Sequence, residues 1–221
     1  MFDLPLFPLQ LVLFPLQSLA LHIFEERYKE MINHCIATDS PFGIVLLEQG
    51  AAEEGRSRVE AKPTVVGTTA AITQVQHLPE GRMNIIVVGR ERFRVSEFKY
   101  GQPYLVGSVE AAPMLHPGQY VRQESIDGLQ QGITRYLKVL EGAGRIQPGA
   151  RRLPNDPLTL SSLAAGILHD INVTQRQALL EADNLQVMID DLRSLYRREI
   201  VLLEAMLAEP QDDHLGPFSP N

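Results

Sequence analysis

The sequence predicts an α+β fold, with strands first and helices second. Three features carry that expectation. Residues 1–112 hold short runs rich in β-branched residues, separated by Gly and Pro turn signals, with only one helical pattern among them. From about residue 119 the apolar residues recur every three or four positions. With 221 residues and 44% hydrophobic content, the chain can bury a sizeable core, as one large domain or two small ones. We therefore expect a β subdomain over 1–112, a helical subdomain over 113–209 and a loose, proline-rich tail over 210–221.

The opening run, LPLFPLQLVLFPLQSLALHIF, is apolar enough to raise the question of export. Its first charge is Asp3, no Lys or Arg precedes it, and Pro5, Pro8 and Pro15 interrupt it. A signal peptide needs a basic start and an unbroken apolar helix. A proline inside a helix costs about 3 kcal/mol, whereas strand starts and edges tolerate it. The run therefore reads as extended segments, neither a leader nor a membrane span. Residues 25–37 form the helix of this half. Tyr28, Met31, Ile32, Cys35 and Ile36 share its apolar face, Glu25 and Glu26 suit its first turn, and Pro41 stops it.

Strands are expected over 42–48, 64–78, 82–89, 92–98 and 103–111. Gly67 marks a bulge or a close backbone approach, and Pro79-Glu80-Gly81 turns the second of these strands into a hairpin with the third. Along 92–98, Phe93 and Val95 alternate with Arg92, Arg94 and Ser96. Phe24, Tyr28 and Phe93 are assigned to the core. Such a series of short strands fits a barrel or a sandwich.

Four helices follow. Over 119–141 the stripe is Ile126, Leu129, Ile133, Tyr136, Leu137 and Leu140. A helix ending near 169 starts with Asp156 as N-cap and Pro157 in the first position, and buries Leu160, Leu163, Ala164, Ile167 and Leu168. Thr174-Gln175-Arg176-Gln177 fits a capping box for a third, short helix. The last, over 185–208, carries Leu185, Met188, Leu192, Leu195, Leu202 and Met206, interrupted by Glu199.

The chemistry is notable for what is missing. None of the four lysines, Lys29, Lys62, Lys99 and Lys138, follows a glycine or precedes Ser or Thr, so no phosphate-cradling P-loop is encoded. No two of the six histidines lie within five residues of each other, which removes a His-Glu-x-x-His zinc helix. The Gly-x-Ser-x-Gly nucleophile turn is absent. Cys35 lies on an apolar stripe and reads as a core thiol, and as the single cysteine it forms no internal disulfide, which fits a reducing cytoplasm. His169-Asp170 reads as a helix-end pair, and Glu53-Glu54 and Asp212-Asp213 as solvated acids. No catalytic residue, metal or cofactor is assigned. The net charge of −7 weighs against a phosphate-backbone binder. Arg90, Arg92 and Arg94 form one small basic cluster. Its plain reading is a solvated strand face, and its functional reading is a contact for an acidic partner.

Three blocks in order resemble the N-terminal, substrate-binding domain of Lon proteases. They are LPLFPLQLVLFP with LALHIFEERYKEMI, then VGTTAAITQVQHLPEGRMNIIVVGRERFRV, then LPNDPLTLSSLAAGILHDINVTQRQALLEADNLQVMIDDL. Ala20 and Glu26 stand where that family commonly has proline. The resemblance implies a PUA-like six-stranded β pseudo-barrel with one short helix, followed by a C-terminal helical bundle ending in a long helix. It also implies a non-catalytic module that binds polypeptide, as unfolded segments or degrons or as an adaptor in proteolysis, since the ATPase and Ser-Lys peptidase of the full protease have no counterpart in these 221 residues. Arg27, Arg92 and Arg94 are the polar positions of those blocks offered as partner contacts. The alternatives are an RNA-binding PUA-like protein and a hydrolase with dispersed catalytic residues. The expected setting is cytoplasmic, without a membrane partner, and the oligomeric state is left open.

Overall fold

The computed structural model describes residues 1–48, 62–114, 120–149, 152–168 and 171–208. Six strands form one sheet: β1 (Phe2–Leu9), β2 (Ser18–Ile23), β3 (Phe42–Glu48), β4 (Lys62–His77), β5 (Met83–Lys99) and β6 (Leu105–Ala111). Their order is β2-β5-β4-β3-β1-β6, and β5 also pairs with β6, so the sheet closes on itself. The runs expected at 82–89 and 92–98 are one strand. That length makes the closure possible, because Met83–Val88 lies between β2 and β4 while Phe93–Lys99 pairs with β6.

The opening run forms β1 and β2, and the two prolines within β1 fall where a strand can spare a donor. Pro5 has a partner only in β6, opposite Val106, and Pro8 only in β3, opposite Val45. Helix α1 (Glu26–Thr38) packs Tyr28, Met31, Ile32 and Cys35 against Ile23, Phe42, Ile44, Met83 and Ile85. Two residues of this segment expected inside lie outside. Ile36 is at the margin of the α1 stripe and is exposed. Phe24 follows the inward-facing Ile23, so strand alternation turns it outward, where it stacks on His22.

The helical half comprises α2 (Gln123–Gly142), α3 (Pro157–Ile167), α4 (Val173–Glu181) and α5 (Leu185–Ala208). Its core is continuous with the sheet, since Val12, Phe14, Leu46 and Val66 pack with Ile133, Leu160, Leu192 and Tyr196. Tyr136 and Tyr196 meet edge to face at 5.4 Å, and the Tyr196 hydroxyl donates to the Ala164 carbonyl at 2.9 Å. The buried stripe of α5 continues through Tyr196, Glu199, Ile200 and Leu203, leaving Leu202 and Met206 exposed. A straight helix keeps its 3.6-residue repeat, whereas the expected series stepped off it after Leu192. Glu199 thus belongs to the buried stripe, and Arg198 holds its carboxylate at 2.8 Å.

The caps follow local chemistry. Asp156 accepts from the Thr159 amide at 2.8 Å and from its hydroxyl at 2.6 Å, with Pro157 in the first turn. Replacing Asp156 with alanine is expected to cost about 1 kcal/mol, a fall of about 3 °C in thermal denaturation, while Asp156→Ser keeps most of the stability. The α4 cap is Asn172, two residues before the expected Thr174, and accepts from the Gln175 amide at 2.8 Å. His169-Asp170, Glu53-Glu54, Asp212-Asp213 and the segment 210–221 lie outside the described residues. Among the described residues no helix is long and apolar enough to cross a membrane.

Candidate functional site

The connection from β1 to β2 builds one wall of a groove. Val12 and Phe14 reach into the helical core and Leu13 into the sheet core, which pins the backbone between them. The Thr68 hydroxyl donates to the Leu13 carbonyl at 2.6 Å. Leu16 N donates to Gly89 O at 2.8 Å and Gly89 N returns to Gln17 O at 2.9 Å. This approach needs glycine, because a Cβ on Gly89 would lie 2.4 Å from the Phe14 carbonyl oxygen.

Helix α3 is the opposite wall. Gln17 Nε2 donates to the Ser162 carbonyl at 2.9 Å and so bridges the two walls. Arg176, on α4, donates to the carbonyls of Ala165 and Leu168 at 2.9 and 3.1 Å, satisfying the end of α3, and its guanidinium sits 5.5 Å from the centre of the Phe14 ring. Burial pulls the Arg176 pKa below the usual arginine range. The groove has a volume of about 700 Å³, within the range of ligand pockets. Its lining includes Leu11, Leu16, Leu19, Leu163 and Ile167, with Arg176 as the sole charged side chain among the described residues.

Leu16 is the unusual member. Its φ is 67°, a left-handed conformation that costs a non-glycine residue about 1–2 kcal/mol, and its side chain is 49% exposed. Leu163, expected in the core, is also exposed at the groove. No chemistry-bearing motif marks these residues in the sequence. They read as generic apolar positions until the two halves are placed together.

The three arginines offered as partner contacts are separated. Arg27 is exposed in the first turn of α1, paired with Glu25 at 2.7 Å and stacked on Tyr28 at 4.5 Å. It lines a second cleft of about 750 Å³ with Lys62, Phe98, Tyr100 and Tyr104. Arg94 is exposed, opposite Glu110 of β6. Arg92 is buried, which corrects the expectation of a solvated face. Alternation does place it opposite Phe93, as expected, but the helical half covers that face. Its Nε donates to Ala112 O at 2.6 Å, and Nη1 donates to Leu180 O at 2.8 Å and Ala182 O at 2.6 Å. Arg92 is therefore an internal anchor at the end of α4, and it presents no surface to a partner.

A family model described as the ATP-dependent protease La (LON) substrate-binding domain matches residues 3–197. The chain belongs to this family. Among the relatives of this Lon substrate-binding domain are the Lon protease of Cytophaga hutchinsonii, 26% identical over 91% of this chain and 25% of that protein, and the Lon protease of Porphyromonas gingivalis, also 26% identical, over 91% and 24%. The chain thus spans about a quarter of the length of these relatives. The Lon fold is shared with a Lon N-terminal domain protein from Xanthomonas campestris, with a TM-score of 0.66 and 23% identity over 88% of this chain and 98% of that one. The N-terminal domain of a Mycobacterium avium complex Lon protease superposes with a TM-score of 0.62 at 16% identity, covering 89% and 98%.

Proposed function

We propose that this Lon substrate-binding domain is a non-catalytic, cytoplasmic module that holds apolar polypeptide segments in the groove between the β1–β2 connection and α3. The observation that supports this reading is the groove itself, apolar on both walls and carrying, among the described residues, one cation and no carboxylate. Segments of that character are buried in folded proteins and displayed by unfolded ones or by degrons. Arg27 and Arg94, both exposed, are proposed as outlying contacts for acidic residues of the same partner. The net charge of −7 gives an RNA-binding reading no support.

A test uses the protein with a fluorescein-labelled, permanently unfolded polypeptide, reduced and carboxymethylated, followed by anisotropy. Saturable binding is expected. Leu163→Asp should weaken it about tenfold, the loss of roughly one apolar side-chain contact. Its melting temperature should stay within about 2 °C of the wild type, since the position is exposed. Absence of binding, or binding indifferent to Leu163→Asp, overturns the assignment.

A further inference from the structure

We infer that the partner is held by strand addition: an extended apolar segment pairs with the open edge of β2 and continues into the groove. The inference rests on the polypeptide-binding reading and specifies how it works. Among the described residues strand β2 is the terminal strand of the sheet order and pairs with β5 alone, through six consecutive partners from Ser18↔Val88 to Ile23↔Met83 without a register shift. Among the described residues no main-chain hydrogen bond is made on its other side. Edge strands are ordinarily blunted by charge, proline or a bulge. The sequence of β2, SLALHI, has no proline and no Lys, Arg, Asp or Glu, and its pairing has no bulge. An open, regular edge of this kind is a template for one more strand.

The occupant follows from four facts. Main-chain donors and acceptors in a row are matched by another polypeptide backbone and not by a lipid or a small metabolite. Six residues of edge span about 20 Å, so the complement is a segment of six to eight residues. The start of β2 is itself part of the groove, since Ser18 and Leu19 line it, so a segment running past Ser18 passes between Leu16 and Leu163. Among the described residues Arg176 is the one charged side chain of the lining, and it favours a neutral or acidic segment over a basic one. A second copy of this chain fits less well, because beyond Ile23 its own β2 turns into α1 at Glu26 and offers no strand to follow into the groove. The strained φ of Leu16 agrees with this assignment. Glycine would adopt that conformation without strain, and the leucine side chain is half-exposed where the added segment would pass.

The experiment uses an acetylated, amidated octapeptide in which leucine alternates with serine and threonine. Two further versions are N-methylated at alternate residues, one in each parity. Strand addition predicts that one parity binds at least about tenfold more weakly than the parent while the other is tolerated, because only every second amide of an added strand faces β2. Leu16→Gly should weaken the parent octapeptide by about tenfold with no fall in melting temperature. Equal binding of both methylated versions overturns strand addition and leaves the polypeptide-binding reading standing. Failure of the octapeptide to bind, while the unfolded polypeptide does, also overturns it. Failure of both ligands removes the underlying reading as well. A dimer in sedimentation velocity whose formation abolishes octapeptide binding assigns the edge to a second copy and likewise overturns the proposal.

Discussion

Arg92→Ala is expected to lower the stability of the protein by about 3 kcal/mol or more, a drop of about 10 °C in melting temperature. One guanidinium holds three parts of the chain together. It leaves β5, ties down the exit of β6 through Ala112 and Pro113, and satisfies the end of α4 through Leu180 and Ala182. Burial, and then the charge of Arg94, pull its pKa down, while Asp183 and Glu181 oppose them; arginine starts so high that it stays charged. Alanine removes the donors and leaves the carbonyls without partners in the interior. Arg92→Lys keeps the charge but not the fork, so it should recover less than half of the loss. Urea denaturation of the three proteins gives the comparison. A loss below about 1 kcal/mol for Arg92→Ala shows that the four carbonyls find water and that the clamp does little.

Gly67→Ala is expected to have an effect of similar size, about 3 kcal/mol, and a larger one than Gly43→Ala. Both glycines make room for Phe93, whose ring tip would lie 2.8 Å and 2.7 Å from the added methyl groups. The difference is in what else is met. At Gly43 the close atoms belong to side chains of Leu6, Phe93 and Leu4, which can shift. At Gly67 the nearest atom is the Ile44 carbonyl oxygen at 2.4 Å, which is backbone within the β3–β4 ladder. Shortening Phe93 to leucine should therefore rescue Gly43→Ala in part and Gly67→Ala hardly at all. Equal rescue of both in denaturant titrations rejects the backbone explanation.

The order of strands and helices was legible from periodicity, and α5 was placed over its full length because a 24-residue apolar repeat leaves little choice. Gly67 was legible as a close approach because a glycine inside a β-branched run has few other uses. Arg92 was not, since alternation tells which face a residue takes but not what covers that face. The groove escaped for a related reason. Leu16, Leu163 and Ile167 meet only when residues separated by about 150 positions are packed together, and each alone is an ordinary leucine or isoleucine. Likewise the edge of β2 is a property of the strand order, which no local pattern encodes.

The pairing of the first strand has a consequence for synthesis of the chain. β1 starts at Phe2, yet its antiparallel partner β6 includes Val109, so the ring cannot close until more than a hundred residues have been made. At typical translation rates that is on the order of ten seconds. Once clear of the ribosome, the apolar opening run waits out the rest of that interval without its full set of neighbours. A domain read here as a holder of apolar segments therefore begins each of its own lives as one, and its yield should depend on the chaperones present while it is translated.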